Sequence, residues 1–293
     1  MILYGTSRAR QVRAMTPHNR NTSLTTPFSR TTTEGALSDM DTPQMLVHLS
    51  DCHLLADPKG TKRDVDVLQN LHAVVDQIKD DGFAPDLIVA TGDIAHDGSA
   101  QAYGHFQRAC QRLNTKVRAL PGNRDDGANM RETLQAWCDP VTDLGAHWRI
   151  VTLDSTVAGA RHGHLNGTQF ALLDEAVASA GDRHILVAMH HNPVIDQSAI
   201  ADPAMLDNAR ILLTHLTAWR QARVLLWGHI HRAHDCRVDN MRLLSAPATS
   251  FQFCVRDGQY CLDDKPPGYR WVKLYNDGSI ATGVKRIKNG TPD

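Results

Sequence analysis

The chain has 293 residues, with 31 Lys and Arg against 32 Asp and Glu, and 42% of its residues are hydrophobic. The even charge balance argues against a protein that binds nucleic acid by neutralising phosphates, and the apolar share excludes disorder along the whole chain. The longest apolar runs are about five residues, such as 185–189, whereas a membrane-spanning helix needs about 18. We therefore expect a globular protein of one large or two small domains, with no membrane segment and no nucleic-acid partner.

Residues 1–42 differ in composition from the rest of the chain. Up to Thr33 they contain five Arg and no Asp or Glu, Ser and Thr are dense, and hydrophobic periodicity is absent. We expect a disordered Arg/Ser/Thr-rich extension, followed by a single domain over 43–289. Two further interpretations stay open: an organelle transit peptide, which has a similar composition, and translation that begins at Met40 or Met45.

From Met45 onward, predicted strands and helices alternate. Short apolar runs predict strands at 45–49, 87–90, 116–120, 148–153, 185–189 and 224–227. The intervening segments predict helices over 64–79, 99–113, 169–180 (with Thr168 as its cap) and 203–220. Further strands are predicted at 235–238, 242–245, 269–275 and 280–288. Alternation favours parallel pairing in the N-terminal region, and the hairpin-like tail favours antiparallel pairing, which together indicate a mixed α/β domain with more than one sheet.

Two residue types bear on compartment and chemistry. The six Cys are scattered and form no C-x-x-C pair, which excludes a zinc ribbon or a thioredoxin motif. We therefore expect reduced thiols and a cytoplasmic protein. The chain also has 16 His beside only five Tyr, five Trp and six Phe, and His is the commonest metal ligand.

Five predicted strands end in residues of the types that bind metals. These ends are Asp51-Cys52-His53, Gly92-Asp93, Gly122-Asn123-Arg124-Asp125, His190-His191 and Gly228-His229-Ile230-His231. Each alone is more readily explained as a turn or as a hydrogen-bonded buried polar group. Loops at the carboxyl ends of parallel strands meet at one rim of the sheet, so the five ends together predict a metal site.

Several residues near these ends have secondary interpretations. Cys52 lies between Asp51 and His53, and the alternation of side chains turns it away from the site as a buried space-filler. Four further His are candidates to line a pocket rather than to bind metal: His96, His162, His164 and His191.

The strand-end set resembles that of the calcineurin-like metallophosphoesterase superfamily. More closely, the chain resembles bacterial class III 3′,5′-cyclic-AMP phosphodiesterases, and the resemblance covers about residues 45–287. The matching stretches are 49–54, 87–95, 190–193 and, in the C-terminal region, 243–271 with Ala246-Pro247-Ala248-Thr249-Ser250 and Pro266-Pro267-Gly268-Tyr269-Arg270-Trp271.

The resemblance implies an α/β fold, a four-layer α/β/β/α sandwich with two divalent metal ions at its rim. The first ion would be held by Asp51, His53, Asp93 and His231. The second would be held by Asp93, Asn123, His190 and His229. Mixed carboxylate, amide and imidazole ligands suit Fe²⁺ or Mn²⁺, and Zn²⁺ is also compatible.

The implied reaction is hydrolysis of 3′,5′-cyclic AMP to 5′-AMP by a hydroxide that bridges the two metals. The implied catalytic residues are Arg124, His53 and Asp93. The implied substrate-binding residues are His53, Asp93, Asn123, Arg124 and His231. With near-zero net charge, we expect a small anionic nucleotide to be attracted by the metals rather than by a basic surface.

Arg124 departs from the family pattern, which usually has His after the Asn. Arg cannot donate a proton usefully, because its pKa is above 12, but it can stabilise charge on phosphoryl oxygens. Protonation of the leaving group would then fall to water, to His53 or His191, or to direct metal contact. Arg at this position also occurs in lipid-A pathway enzymes that cleave UDP-diacylglucosamine pyrophosphate. A nucleotide-sugar pyrophosphohydrolase is therefore an alternative function.

The sequence leaves the substrate and the assembly open as well. A two-metal site acts on many phosphate esters, so a phosphomonoester, a phosphoprotein or a 2′,3′-cyclic nucleotide is also compatible with it. A non-catalytic scaffold on the same fold is disfavoured, because all seven ligands are present. We expect the segment 251–271 to close over the pocket as a lid or to form an oligomer contact, for example in a homodimer.

Overall fold

Two β-sheets pack face to face in this protein, whose computed structural model describes residues 42–194, 203–256 and 259–288. All described residues belong to one compact unit. The predicted extension over 1–42 lies outside the described residues apart from Thr42. Among the described residues, every helix is too short or too polar to cross a membrane.

The elements follow the predicted order with several additions. The strands are β1 (Gln44–Leu49), β2 (Thr61–Lys62), β3 (Val65–Asp66), β4 (Leu87–Thr91), β5 (Lys116–Leu120), β6 (Val141–Leu144), β7 (Trp148–Thr152), β8 (His184–Ala188), β9 (Ala222–Trp227), β10 (His234–Val238), β11 (Met241–Ser245), β12 (Gln252–Arg256), β13 (Gln259–Asp263), β14 (Gly268–Leu274) and β15 (Ile280–Arg286). The helices are α1 (Val67–Asp80), α2 (Ala100–Gln111), α3 (Gly127–Leu134), α4 (Gly167–Ala178) and α5 (Ala209–Ala218).

The two large sheets confirm the predicted mixture of parallel and antiparallel pairing. The first has the order β15-β14-β1-β4-β5, and the second has the order β10-β11-β9-β8-β7-β6. In the first sheet β1 pairs in parallel with β4, and β4 with β5, whereas β14 is antiparallel to β1. In the second sheet β8 pairs in parallel with both β7 and β9.

Three hydrophobic clusters produce four layers. Side chains from both sheets, including Leu46, Val89, Leu186 and Leu226, form the cluster between the sheets. A second cluster packs α1, α2 and α3 on the outer face of the first sheet, and a third packs α4 and α5 on the outer face of the second. The predicted α/β/β/α sandwich is therefore confirmed.

Local capping explains where helices begin. The predicted helix over 64–79 starts at Val67, because 61–66 forms the short β2–β3 hairpin and the Asp66 carboxylate accepts from the Gln69 N–H (2.9 Å). Helix α4 is capped by Asn166, not by the predicted Thr168. Helix α5 spans Ala209–Ala218 and is therefore shorter than the helix predicted over 203–220.

The β12–β13 hairpin was not predicted as strands, and it changes the interpretation of the cysteines. Antiparallel pairing places Cys254 directly opposite Cys261, with their Cα atoms 5.2 Å apart, and the two form a disulfide. The expectation of reduced thiols is therefore wrong for this pair. Cys52, Cys110, Cys138 and Cys236 are free thiols.

Candidate metal centre

The carboxyl ends of β1, β4 and β5 in the first sheet face those of β8 and β9 in the second. This topology brings together the seven residues predicted as ligands, which we name the ligand cluster: Asp51, His53, Asp93, Asn123, His190, His229 and His231. Most of the cluster is buried, with Asp51 and His190 fully so. Residues distant in sequence therefore meet because parallel strands end at the same rim.

The first group surrounds the Nε2 atom of His231. That atom lies 3.5 Å from a carboxylate oxygen of Asp51 and 3.0 Å from Nε2 of His53. Nε2 of His53 is also 3.6 Å from Oδ2 of Asp93. These side chains form the set predicted to hold the first ion.

The second group surrounds the Nε2 atom of His190. That atom lies 3.5 Å from Oδ1 of Asp93, 3.3 Å from Oδ1 of Asn123 and 3.2 Å from Nδ1 of His229. The two carboxylate oxygens of Asp93 thus point to different groups, Oδ1 to His190 and Oδ2 to His53. This is the position required of a carboxylate that bridges two ions.

The hydrogen bonds of two imidazoles test whether a metal fits. Nδ1 of His190 donates to the Thr91 carbonyl (2.7 Å), and Nδ1 of His231 donates to the Phe251 carbonyl (2.7 Å). Each Nε2 therefore carries a lone pair, yet each faces a buried carboxyl oxygen, which in the ionised form also accepts and does not donate. Such an acceptor-only arrangement is stabilised by a cation, so the residues fit a metal.

Backbone strain is concentrated at the same residues. Five ligand-cluster residues that are not Gly have positive φ: Asp51 (54°), His53 (49°), Asp93 (49°), His229 (67°) and His231 (52°). Left-handed backbone costs a non-Gly residue roughly 1–2 kcal/mol. Backbone bonds between the loops, from Asp51 N–H to the Gly92 carbonyl (3.1 Å) and from His53 N–H to the Asp93 carbonyl (2.8 Å), hold this geometry. Strain of this kind is typical of functional sites.

Burial controls the protonation of the cluster. It raises the pKa of Asp93 to about 7, against the opposing effect of the backbone N–H and guanidinium of Arg124, and it raises the pKa of Asp51 well above its usual range. Burial lowers the pKa of His190 to about 4 and that of His231 to about 3. Neutral imidazole is the form that binds metal, and a cation would in turn stabilise the two carboxylates as anions.

A buried hydrogen-bond chain supports Asp51 from beneath. Ser50 Oγ donates to Oδ2 of Asp51 (2.6 Å), Thr91 Oγ1 donates to Ser50 Oγ (2.8 Å), and Nε2 of His48 donates to Thr91 Oγ1 (2.8 Å). The His229 N–H donates to the same Asp51 oxygen (3.0 Å). A Cβ at Gly228 would overlap the Ser50 hydroxyl, so only Gly lets the β9 loop approach this closely.

Asp125 supports the site, although sequence reasoning assigned it no role beyond its place in the third strand-end motif. Its carboxylate accepts from the backbone N–H groups of Gly122 (2.8 Å), Ala95 (2.8 Å) and Ile94 (3.2 Å), and from the Tyr103 hydroxyl (3.1 Å). It thereby ties the β4 loop, which carries Asp93, to the β5 loop, which carries Asn123. The sequence signal for this role is that Asp125 is the acidic residue that completes the motif Gly122-Asn123-Arg124-Asp125.

A pocket of about 420 Å³ opens over the ligand cluster and is more basic than expected. Four cationic residues line it: Lys62, Arg63, Arg124 and Arg161. The expectation that an anionic substrate is attracted by metals without a basic surface is therefore wrong locally, although the net charge is −1. Lys62 and Arg63 come from the β2–β3 hairpin, which overlaps the first residues of the helix predicted over 64–79.

The remaining His candidates separate into three environments. His96 lines the pocket, and its Nδ1 lies 3.1 Å from Nδ1 of His53. His162 lines an adjoining cavity, and His191 is buried with its Nδ1 at 2.8 Å from the Ser155 hydroxyl. His164 instead pairs with Asp207 at the surface, so its predicted pocket position is wrong. Cys52 is a buried free thiol in the core, as predicted.

Comparison with known proteins identifies the family. A family model described as calcineurin-like phosphoesterase matches residues 45–233, and the chain belongs to this family, whose members bind two divalent metals. The chain is 38% identical over 249 residues to the 3′,5′-cyclic adenosine monophosphate phosphodiesterase CpdA of Pseudomonas aeruginosa, covering 84% of this chain and 91% of that protein. It is 35% identical to the protein of the same name from Escherichia coli (strain K12), covering 83% and 89%.

Solved structures agree on the fold. The structure is similar to a dimetal phosphatase from Danio rerio with a TM-score of 0.59 and 13% identity, covering 85% of this chain and 100% of that one. At this identity the similarity concerns the fold alone.

Proposed function

We propose that this protein is a binuclear metal-dependent phosphodiesterase that hydrolyses 3′,5′-cyclic AMP to 5′-AMP. The single observation that carries the proposal is the complete ligand cluster, with the two oxygens of Asp93 directed at the two His groups. The choice of substrate is supported by the relatives, which are named as cyclic AMP phosphodiesterases and align along nearly their whole length. A non-catalytic scaffold would be expected to lack part of the cluster.

We assign Asp51, His53, Asp93 and His231 to the first metal, and Asp93, Asn123, His190 and His229 to the second. Carboxylate, amide and imidazole ligands favour Fe²⁺ or Mn²⁺, with Zn²⁺ also compatible. When bound, two such ions polarise phosphoryl oxygens and lower the pKa of water, so that hydroxide is available near pH 7.

The chain's own residues position the phosphate and neutralise its charge. The Arg124 side chain is exposed to the pocket, while its N–H donates to Oδ1 of Asp93 (2.9 Å) and fixes the loop that carries it. Arg161 faces the same pocket from the loop after β7. Two guanidinium groups can stabilise the charge that develops on the equatorial oxygens, and neither is a proton donor. We therefore assign protonation of the leaving oxygen to water, since His191 is buried against Ser155 and His53 belongs to the ligand cluster.

Phe251 forms the apolar side of the site. Its ring stacks on His53 with the centroids 5.3 Å apart and lies 4.8 Å from the His231 ring, while its carbonyl accepts from His231. The ring therefore shields the imidazoles of the first group from water and fixes their orientation.

Arg124 is the specific observation that favours a second candidate, a nucleotide-sugar pyrophosphohydrolase. A substrate panel in the presence of Mn²⁺ or Fe²⁺ decides between the two. It contains cyclic AMP, cyclic GMP, 2′,3′-cyclic AMP, bis(p-nitrophenyl) phosphate and a nucleotide-diphosphate sugar. We expect the highest kcat/KM for cyclic AMP; preferred turnover of the sugar nucleotide would contradict the proposal. The cytoplasmic location and a homodimer stay predictions.

A further inference from the structure

The β12–β13 hairpin has one apolar face. It forms a two-stranded sheet of its own, in which Phe253 lies opposite Leu262 and Val255 lies opposite Tyr260. Because side chains alternate along a strand and directly opposed residues share a face, these four side chains lie on one side. Cys254 and Cys261 lie on the other side, where their disulfide joins the two strands.

The apolar face borders a second cavity, of about 490 Å³. Phe253, Tyr260 and Leu262 line it, together with Cys261, Ile230 and Pro203. Tyr260 and Leu262 are 42% and 43% exposed, and the described residues contain only one other large hydrophobic residue that is exposed, Ile211 on α5. Two of the three exposed large hydrophobic side chains therefore lie beside one cavity, which indicates a binding surface rather than scattered surface residues.

This cavity adjoins the pocket over the ligand cluster. Four residues line both: Arg63, Arg161, His229 and Phe253. Arg63 and Arg161 thus border both spaces, whereas Tyr260 and Leu262 line only the second cavity. A ligand with a phosphate at one end and a flat apolar group at the other matches this order of charge and hydrophobicity.

Three ring contacts hold the wall in place. The Phe253 ring lies 4.8 Å from the His231 ring and 5.2 Å from the Arg63 guanidinium carbon, which anchors the hairpin to the metal centre. Farther out, the Arg232 guanidinium carbon lies 5.4 Å from the centroid of the Tyr260 ring. Tyr260 is therefore oriented by Arg232 while it also lines the cavity.

We propose that the apolar face of the β12–β13 hairpin binds the purine base of the substrate while the phosphate lies at the ligand cluster. This assignment rests on the proposed function and extends it to a base subsite formed by Tyr260, Leu262 and Phe253. It also decides the role of this portion of 251–271, which becomes a wall of the pocket rather than an oligomer contact. Stacking on an aromatic ring uses the flat face of a base rather than its edge, so guanine can also enter the subsite.

The test compares substrates with and without a base. Tyr260→Ala and Leu262→Ala are assayed on cyclic AMP, cyclic GMP and an abasic ribose 3′,5′-cyclic phosphate, with turnover followed by ³¹P NMR. We expect kcat/KM for both cyclic nucleotides to fall roughly 10-fold in Tyr260→Ala and several-fold in Leu262→Ala, mainly through KM. Turnover of the abasic diester should not change, because its phosphate still reaches an intact ligand cluster.

Ile211→Ala is the matched control, since it removes an exposed apolar side chain of similar size away from the cavity. It should leave all three substrates unchanged. The subsite is refuted if Tyr260→Ala keeps the wild-type preference for cyclic AMP over the abasic diester, or if the hairpin variants change only the oligomeric state measured by light scattering. Wild-type protein that turns over neither cyclic nucleotide refutes the proposed function, and the base subsite with it.

Discussion

The ligand cluster and the β12–β13 hairpin lie side by side but are built in opposite ways. The cluster is mostly buried, its backbone is strained at five residues, and hydrogen bonds to backbone carbonyls orient His190 and His231. The hairpin is a small separate sheet that exposes Tyr260 and Leu262 to a cavity. Such a difference is expected if the first region performs chemistry common to the family and the second selects the substrate, because chemistry needs fixed geometry whereas selection depends on the surrounding surface.

The largest effect is expected from removing a ligand of the cluster. Asn123→Ala deletes the amide oxygen that lies 3.3 Å from Nε2 of His190, so the proposed second metal site loses a ligand. We expect kcat on cyclic AMP to fall about 10³-fold, since each bound metal supplies several kcal/mol of transition-state stabilisation. Metal content measured by mass spectrometry should fall in parallel.

Thermal unfolding of Asn123→Ala distinguishes a lost ligand from a lost fold. The variant should remain folded, because Asn123 is partly exposed and lies in a loop. Full activity of a folded Asn123→Ala protein would contradict the metal assignment itself.

The next largest effect concerns how the two loops of the cluster are joined. Asp125→Ala leaves three backbone N–H groups without their acceptor, whereas the Tyr103 hydroxyl keeps the Asp126 carbonyl at 3.3 Å. We expect the free energy of unfolding to fall by about 2–4 kcal/mol, because unsatisfied polar groups retain their desolvation cost. Chemical denaturation measures this change. Asp125→Asn keeps one acceptor oxygen, so its free energy of unfolding should fall less. Equal decreases in the two variants would contradict the role of the Asp125 hydrogen bonds in joining the two loops.

Removing the Arg124 side chain should affect catalysis without affecting the metal. Arg124→Ala keeps the backbone N–H that bonds to Asp93 and deletes only the guanidinium. We expect kcat/KM to fall about 10- to 100-fold, the effect of one lost hydrogen bond to a charged group. Arg237→Ala on the exposed surface of β10 is the control and should have wild-type activity. Unchanged activity in Arg124→Ala, or in Arg124→His, would rule out stabilisation of the phosphate by this side chain.

The contrast between the two regions also explains why one could be predicted from sequence and the other could not. The ligands follow apolar runs such as 87–91, so strand, loop and ligand are contiguous in sequence and the parallel topology then brings them together. The hairpin has weak strand signals, and its apolar face becomes recognisable only through the pairing of Val255 with Tyr260. Arg161 was missed for a related reason: it lies in an irregular loop, and only the tertiary fold brings it to the pocket.

The smallest effect is expected from His48, which lies on the buried strand β1 beneath the ligand cluster. Burial, together with the charge of Arg270, lowers the pKa of His48 to about 3 in the folded protein, against 6.5 for an ordinary His. Above pH 6.5 His48 is neutral in both states, whereas below it the unfolded chain takes up a proton that the folded protein does not, so stability falls. Between pH 7 and 5.5 this contributes about 1 kcal/mol. His48→Gln keeps a donor for Thr91 and removes the titration, so its free energy of unfolding, measured by urea denaturation of the metal-loaded protein, should fall less over this range. An identical pH dependence in the two proteins would show that protonation of His48 does not contribute to the loss of stability at low pH.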